Sequence, residues 1–376
     1  MGLFSSGKKQ ARSVALIDIG SASVGGAYAH FVEGAQPIIY YTARVTIEPR
    51  EGETITESML RSLSFLERLM IEEGAPALHR ETKSGAVDNV LVSVASPWQD
   101  THIETAHIAE KRPFLFTRAH LDAVGKTVLP KDRIASGRTV IATVLNGYET
   151  ANPFGKRVTR ADLTVLTSSL DKAAAHAIET SLRRTFHTGE ISLTAFAPVA
   201  YTVFRDLYPH QKDFIVLDVS GTATDIAFVK HGLLTHSESV PHGIHDLLEA
   251  ARKAGHRAHL GITEMLSASA NQVFGEESAA IERVWLEGLE EAFEKFSHKH
   301  ALPHTLFLLA DQDVRDYLKR TLEESELRTL WLSDEPLSVI ALSPSSLAPK
   351  VKTRGLGEGD IFLAILALAS ERMGKE

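Results

Sequence analysis

Two short runs hold the acids and hydroxyls with which this chain could do chemistry. Ala15-Leu-Ile-Asp18-Ile-Gly20-Ser21-Ala-Ser23-Val24 recurs as Ile215-Val-Leu-Asp218-Val-Ser220-Gly221-Thr222-Ala-Thr224, with the two aspartates 200 positions apart. Each run is an apolar strand ending in an acid, then a turn of Gly, Ser and Thr, then a second apolar strand. Such a turn points backbone N–H groups and short hydroxyls at an anion, because small residues allow close approach. An aspartate at the strand end cannot hold a phosphate directly. It can hold a divalent cation through water, since magnesium keeps most of its hydration shell and accepts one or two carboxylates. Facing each other, the two turns would clamp a magnesium triphosphate between two lobes. One Asp before small residues is an ordinary β-turn; the same local order twice, each time heading a three-strand meander, reads as an internal repeat.

The elements that must position these turns follow from the hydrophobic periods. Strands are expected over 14–19, 24–31 and 38–45, and again over 213–218, 224–230 and 233–240, the latter pair joined at Lys230-His231-Gly232. Thr54 and Glu57 form a capping box ahead of Met59, Leu60, Leu63, Leu66, Leu69 and Met70, the spacing of a core-facing helix, with Gly74 as its expected stop. A second β/α block opens with a strand over 89–96 and runs to a strand over 163–167, followed by a helix over 171–186. Helical patterns dominate 243–296. Apolar runs at 305–309 and 339–342 are expected buried strands, and a helix over 360–373 closes the chain. The spacing of Trp285, Leu286, Leu289 and Phe293 is that of a helix packed into its own lobe.

Composition narrows the function. The chain has 376 residues, 44% of them hydrophobic, and a formal net charge of -8. Its length suits two lobes, and its charge argues against a nucleic-acid partner, which requires a concentrated basic surface. With no cysteine, disulfides, thiolate metal sites and cysteine nucleophiles are excluded, and a reducing cytoplasm fits best. No apolar run reaches the roughly 18–20 residues needed to span a bilayer. The residues 1–9 combine Leu3 and Phe4 with Lys8 and Lys9. They read either as a flexible tail or as a weak contact with the inner face of the cell membrane, and their first six residues fit an N-myristoylation pattern. His242 with His245, and His298 with His300 and His304, have passable metal-ligand spacing, but no HExxH or carboxylate-rich set accompanies them. Neither G-x-S-x-G nor GxxxxGK[ST] occurs, so acyl transfer and P-loop hydrolysis lack their signatures.

At the two aspartate turns the chain resembles the actin, hexokinase and heat-shock-chaperone superfamily, and within it the bacterial FtsA and PilM branch. The resemblance covers nearly the whole chain. Residues 18–24 match the first phosphate loop of the family, 218–225 match the second, and Val240-Pro-His-Gly243 resembles the turn after the next strand. The block from about 87 to 167, with Asn146-Gly-Tyr-Glu-Thr-Ala-Asn-Pro-Phe-Gly155 inside it, resembles the small subdomain that FtsA-like proteins insert there. The resemblance implies an α/β, two-lobed actin-like (ribonuclease H-like) ATPase fold with an inserted β/α interaction subdomain. The implied division is a tail over 1–12 and a first lobe of 13–86 and 187–206 with part of the helix 360–374. The insert and its following helix take 87–186, and the second lobe 207–359. It further implies ATP and Mg2+ between the lobes. Asp18 and Asp218 would orient the hydrated metal, while Gly20, Ser21, Ser23, Gly221, Thr222, Thr224 and Gly243 would contact the nucleotide. The implied partners are proteins of a division or pilus machinery, with self-association into filaments as a further expectation.

Departures from the family pattern bear on that chemistry. Gly25 stands where the first loop often has lysine, which removes a charge. Ser220 and Ile244 replace glycines, which would crowd a phosphate. Leu308-Leu-Ala310-Asp311-Gln312 stands where the adenosine turn normally reads Thr-Gly-Gly-Gly, so side chains at Ala310, Asp311 and Gln312 would weaken or abolish ATP binding. The family's closing membrane helix is not expected here, because the chain ends a few residues beyond Leu368. Three readings stay open on sequence: a nucleotide-switched scaffold with at most slow ATPase activity, a nucleotide-free adapter of the same fold, and a small-molecule kinase, with Asp225 a candidate base only by closeness.

Overall fold

The computed structural model describes residues 11–123, 129–150, 152–247, 276–331, 337–356 and 359–373. The first meander forms β1 (Ala11–Ile19), β2 (Ser23–Val32) and β3 (Ile38–Thr46). It is followed by helix α1 (Ile55–Leu69), a π-helical turn (Met70–Gly74) and α2 (Ala75–Thr82). Next come β4 (Asn89–Val94), β5 (Gln99–Leu115), α3 (Arg118–Ala123), β6 (Arg133–Leu145), β7 (Tyr148–Glu149) and β8 (Arg157–Asp171). The chain continues through α4 (Lys172–Thr185), β9 (Ile191–Ala195) and α5 (Phe196–Leu207). The second half holds β10 (Phe214–Val219), β11 (Thr224–Lys230), β12 (Leu233–Val240), α6 (Glu276–Ser297), β13 (Thr305–Leu309) and α7 (Gln312–Glu324). It ends with β14 (Ser338–Ala341), α8 (Pro344–Leu347), β15 (Lys352–Leu356) and α9 (Ile361–Met373).

The duplication seen at the two aspartates extends to whole sheets. The first sheet has the order β15-β3-β2-β1-β4-β9 and the second β12-β11-β10-β13-β14. Apart from β15, strand for strand, each places a meander beside two parallel strands. The registers match at the acids: Asp18 lies opposite Gly25 and beside Ser93, and Asp218 lies opposite Asp225 and beside Leu309. The third sheet, β5-β8-β6-β7, interrupts the first half and has its own small core around Phe116, Leu163 and Val165.

Burial explains why β1 and β10 read as continuous apolar runs rather than alternating ones, since both faces of each central sheet are covered. One face of the first sheet packs on α1 and α4 around Met59, Leu66, Ile178 and Leu182. Its other face shares a core with the second sheet, filled by Phe196 and Phe204 of α5 and by Leu363, Ile365 and Leu366 of α9. Helix α9 is buried on nearly every side, hence its run Ile-Phe-Leu-Ala-Ile-Leu-Ala-Leu-Ala. The outer face of the second sheet packs on Trp285, Leu289 and Phe293 of α6 and on Leu318 of α7.

Several expectations move. Gly74 is not a stop: the helical path continues through it into α2, because a Cβ there would stand 2.7 Å from the rings of Tyr28 and Tyr41. The residue permits a close packing of helix on sheet. The third sheet spans residues 99–171, whereas β4 pairs with β1, and α4, the helix that follows the insert, packs into the core beside the first sheet. Strand β15 pairs with β3 in the first sheet, so residues 352–356 belong there and not with the second lobe. The capping box forms as expected, with Thr54 Oγ1 accepting from the Glu57 N–H and Glu57 from the Thr54 N–H. The tail reading of residues 1–9, and most of the helical pattern over 248–275, lie outside the described residues. Among the described residues no helix is long and apolar enough to cross a membrane.

Candidate functional site

The two aspartate turns face each other where the two central sheets meet. The turn after β1 closes with the Gly20 N–H donating to the Ser23 carbonyl at 3.0 Å, and the turn after β10 repeats this with Ser220 and Ala223 at 2.9 Å. The turns then bond across the gap. The Ser21 N–H donates to Ser220 Oγ at 2.8 Å, Ser21 Oγ lies 3.0 Å from Ser220 Oγ, and the Thr222 N–H donates to Ser21 Oγ at 2.9 Å. A Cβ on Gly221 would stand 2.4 Å from the Ser21 carbonyl oxygen, so the backbones touch. Gly243 lines the same seam: its Cβ would meet the Ser220 carbonyl oxygen at 2.4 Å, and the next two N–H groups, Ile244 and His245, donate to the Ser220 and Gly221 carbonyls.

Asp18 is buried at the end of β1. One oxygen accepts from Ser93 Oγ at 2.9 Å, the other from Arg44 Nη2 at 3.0 Å. Burial pushes its carboxyl up to about 6, against the pull of Arg44. Asp218 is buried in the corresponding place, and burial, with Asp225, Asp18 and Asp311 nearby, outweighs the pull of Arg44 and pushes it well above the usual carboxylate range. The cavity between them measures about 20 Å3 and is lined by Asp18, Asp218, Arg44, Ser220, Asp311 and Phe362 among others. That is room for about one water molecule.

Arg44, on β3, organises the space. Its Nε donates to Asp360 Oδ2 at 2.6 Å, Nη2 to Asp360 Oδ1 at 3.1 Å, and Nη1 to Ser23 Oγ at 2.7 Å. Nη1 also stands 3.5 Å from Asp311 Oδ1, and the guanidinium carbon 4.9 Å from the centre of the Phe362 ring. Sequence reasoning missed Arg44 and Asp360, because both come from outside the repeated turns. A signal was present: Gly25 pairs with Arg44 across β2 and β3. Its Cβ would stand 2.6 Å from Nη2, so glycine at this position makes room for a cation from the next strand.

Of the remaining candidates, Ser23 is brought to Arg44 and Thr224 is drawn away from the cleft. Thr224 Oγ1 donates to the His242 carbonyl at 2.8 Å and accepts from Trp285 Nε1 at 3.0 Å. That fastens β11 to α6. Asp225 accepts from Ser96 Oγ at 2.7 and 2.8 Å and from Gln99 Nε2 at 2.5 Å, which ties the second lobe to the start of the insert. Ile244 points into the second lobe's core and does not crowd the cleft. In the adenosine-turn stretch, Ala310 is core, and Asp311 sends its carboxylate toward Arg44. Among the described residues no three His, Asp or Glu side chains converge as metal ligands, the His298 group included.

The arrangement is a poor match for Mg-ATP. Among the described residues, the N–H groups of Gly20, Ser21, Ser220 and Thr222 donate within the protein, and Asp18 is held by Arg44.

The whole chain is similar to a chain in a solved PilM-PilN type IV pilus biogenesis complex, with 15% identity and a TM-score of 0.60 over 96% of this chain and 98% of that one. It is also similar to a Bacteroides thetaiotaomicron protein described as having an actin-like ATPase fold and unknown function, with 13% identity and a TM-score of 0.44 over 98% and 99% of the two chains. No protein-family model and no curated protein matches. The first likeness, together with the duplicated sheets, establishes the fold as the two-lobed actin-like ATPase fold.

Proposed function

We propose that this chain is an actin-fold scaffold of the FtsA and PilM type, which recruits or organises protein partners of a cell-division or pilus-assembly machinery at the cytoplasmic face of a membrane. The observation that carries the reading is the four-strand sheet inserted into the first lobe. It adds nothing to the cleft's cavity, has its own core, and ends in a cluster of apolar side chains held out to solvent. Tyr148 is 78% exposed, Leu115 52% and Phe154 47%. They gather where β8 begins: Leu115 pairs with Arg157, the Phe154 ring lies 6.2 Å from Phe116, and Asn146, beside Tyr148, accepts from the Thr159 and Arg160 N–H groups. Exposed aromatic side chains grouped this way suit a protein partner. The likeness to the PilM-PilN chain supports the pilus side of the choice.

Within that reading, the cleft favours a nucleotide-free adapter over a nucleotide-switched one, because the two turns satisfy one another. Asp225, the base a kinase reading would use, accepts hydrogen bonds from Ser96 and Gln99 and does not line the cavity.

The test is genetic. In the source organism, deletion of the gene and the double substitution Tyr148→Ala/Phe154→Ala are scored for surface pili and for cell length. Loss of pili or filamentous cells in both strains supports the scaffold, and says which machinery it serves. Normal pili and normal length in the deletion strain refute it.

A further inference from the structure

We propose that Arg44 is the resident cation of the cleft, standing beside the strand-end acid Asp18 and joining the two lobes without a ligand. The inference rests on the nucleotide-free reading of the cleft and does not depend on which partners the scaffold serves.

Four observations carry it. The first is saturation. A guanidinium has five N–H donors, and Arg44 makes five polar contacts: two to Asp360, one each to Asp18 and Ser23, and one ion pair to Asp311. Four of its donors are spent on hydrogen bonds within the protein and Nη1 faces Asp311 at 3.5 Å, so Arg44 is held in place by the chain's own acids. The second is charge. Asp18, Asp311 and Asp360 all meet on one guanidinium whose face is covered by Phe362. The third is reach across the fold. Asp18 and Asp360 belong to the first lobe, and Asp311 follows β13 of the second, so Arg44 spans the seam beside the Ser21 and Ser220 bonds. The fourth is accommodation: only glycine at position 25 leaves the guanidinium its place, since any Cβ would come within 2.9 Å of Cζ. Gly25 and Arg44 therefore act together, the glycine leaving space for a guanidinium fixed by a bidentate carboxylate.

The experiment uses the full chain and follows thermal unfolding with EDTA, with Mg2+ alone and with Mg-ATP at millimolar concentration. For the wild type, neither Mg2+ nor Mg-ATP should raise the melting temperature by more than about 1 °C, because a ligand stabilises only if it binds the folded state. Arg44→Met should melt lower than the wild type by about 2 °C or more in EDTA, since it removes the cation that Asp18, Asp311 and Asp360 share. Gly25→Ala, which displaces the guanidinium without removing it, should shift in the same direction and serves if Arg44→Met does not fold. Stabilisation of the wild type by Mg-ATP would overturn the proposal, most plainly if Arg44→Met abolished it. So would an Arg44→Met protein that melts like the wild type. None of these results bears on pili or cell length, so the cleft inference and the scaffold reading fail separately.

Discussion

Gly221→Ala tests whether the lobes are locked by direct contact. The substituted Cβ would lie 2.4 Å from the Ser21 carbonyl oxygen, 2.5 Å from its carbon and 2.7 Å from the Ala22 nitrogen. All three are backbone atoms of the opposite lobe, so no side chain can swing aside. Ordinary contacts begin near about 3.5 Å, and the turns must therefore part by about 1 Å. That displacement carries the bonds at 2.8, 3.0 and 2.9 Å between Ser21 and Ser220 and between Thr222 and Ser21 beyond hydrogen-bonding range. Three such bonds at about 1 kcal/mol each give an expected loss of about 2–4 kcal/mol. The assay is equilibrium urea unfolding by circular dichroism, with hydrogen exchange at the Ser21 and Thr222 amides as the local readout. Gly137→Ala is the control, since nothing lies within 4 Å of its Cβ. A loss below about 1 kcal/mol with both amides still protected would refute the claim that the turns are in contact.

The fold was legible because its two halves announce each other. The repeated aspartate turns predict the paired meanders, and β1, β2, β3, β10, β11 and β12 fall within a few residues of expectation. The site was less legible, for a physical reason. Its decisive contacts join residues remote in sequence: Arg44 with Asp360 are 316 positions apart and Asp225 with Gln99 are 126 apart. Local pattern identifies a turn able to bind an anion but not whether another strand has filled it. Thr224 shows the same limit, since its hydroxyl fits a phosphate loop equally well by type, and only the position of Trp285 shows where its hydrogen bonds go.

Duplication also explains how the cleft could lose one chemistry while keeping its frame. In the first half the residue across from the acid is Gly25, which opens a path for Arg44; in the second it is Asp225, another acid. One half thus holds a carboxylate beside a cation, the other a carboxylate driven toward its neutral form by burial and by Asp225. An acid pair that shares a hydrated metal requires the reverse, with both carboxylates charged and free.

Three further perturbations follow from these contacts. Thr224→Val keeps the shape but strips partners from the buried indole N–H of Trp285 and from the His242 carbonyl, so a loss of about 2–4 kcal/mol is expected in urea unfolding, with Thr224→Ser close to wild type. Gly74→Ala forces a methyl against the Tyr28 and Tyr41 rings and should cost about 1–3 kcal/mol, read as a lowered melting temperature, despite alanine's better helix propensity. Asp18→Asn addresses pH. The folded carboxyl of Asp18 titrates at about 6 against 3.8 for the unperturbed group, so between those values the folded state binds the extra proton. Its contribution is therefore fully present below about pH 4 and lost as pH rises through 6. The asparagine variant lacks this proton. The wild type should accordingly gain on Asp18→Asn as pH falls from 7.5 to 4.5, by on the order of 1–3 kcal/mol in paired denaturation curves. A difference that stays flat, or moves the other way, would mean that Arg44 outweighs burial and keeps Asp18 charged across the range.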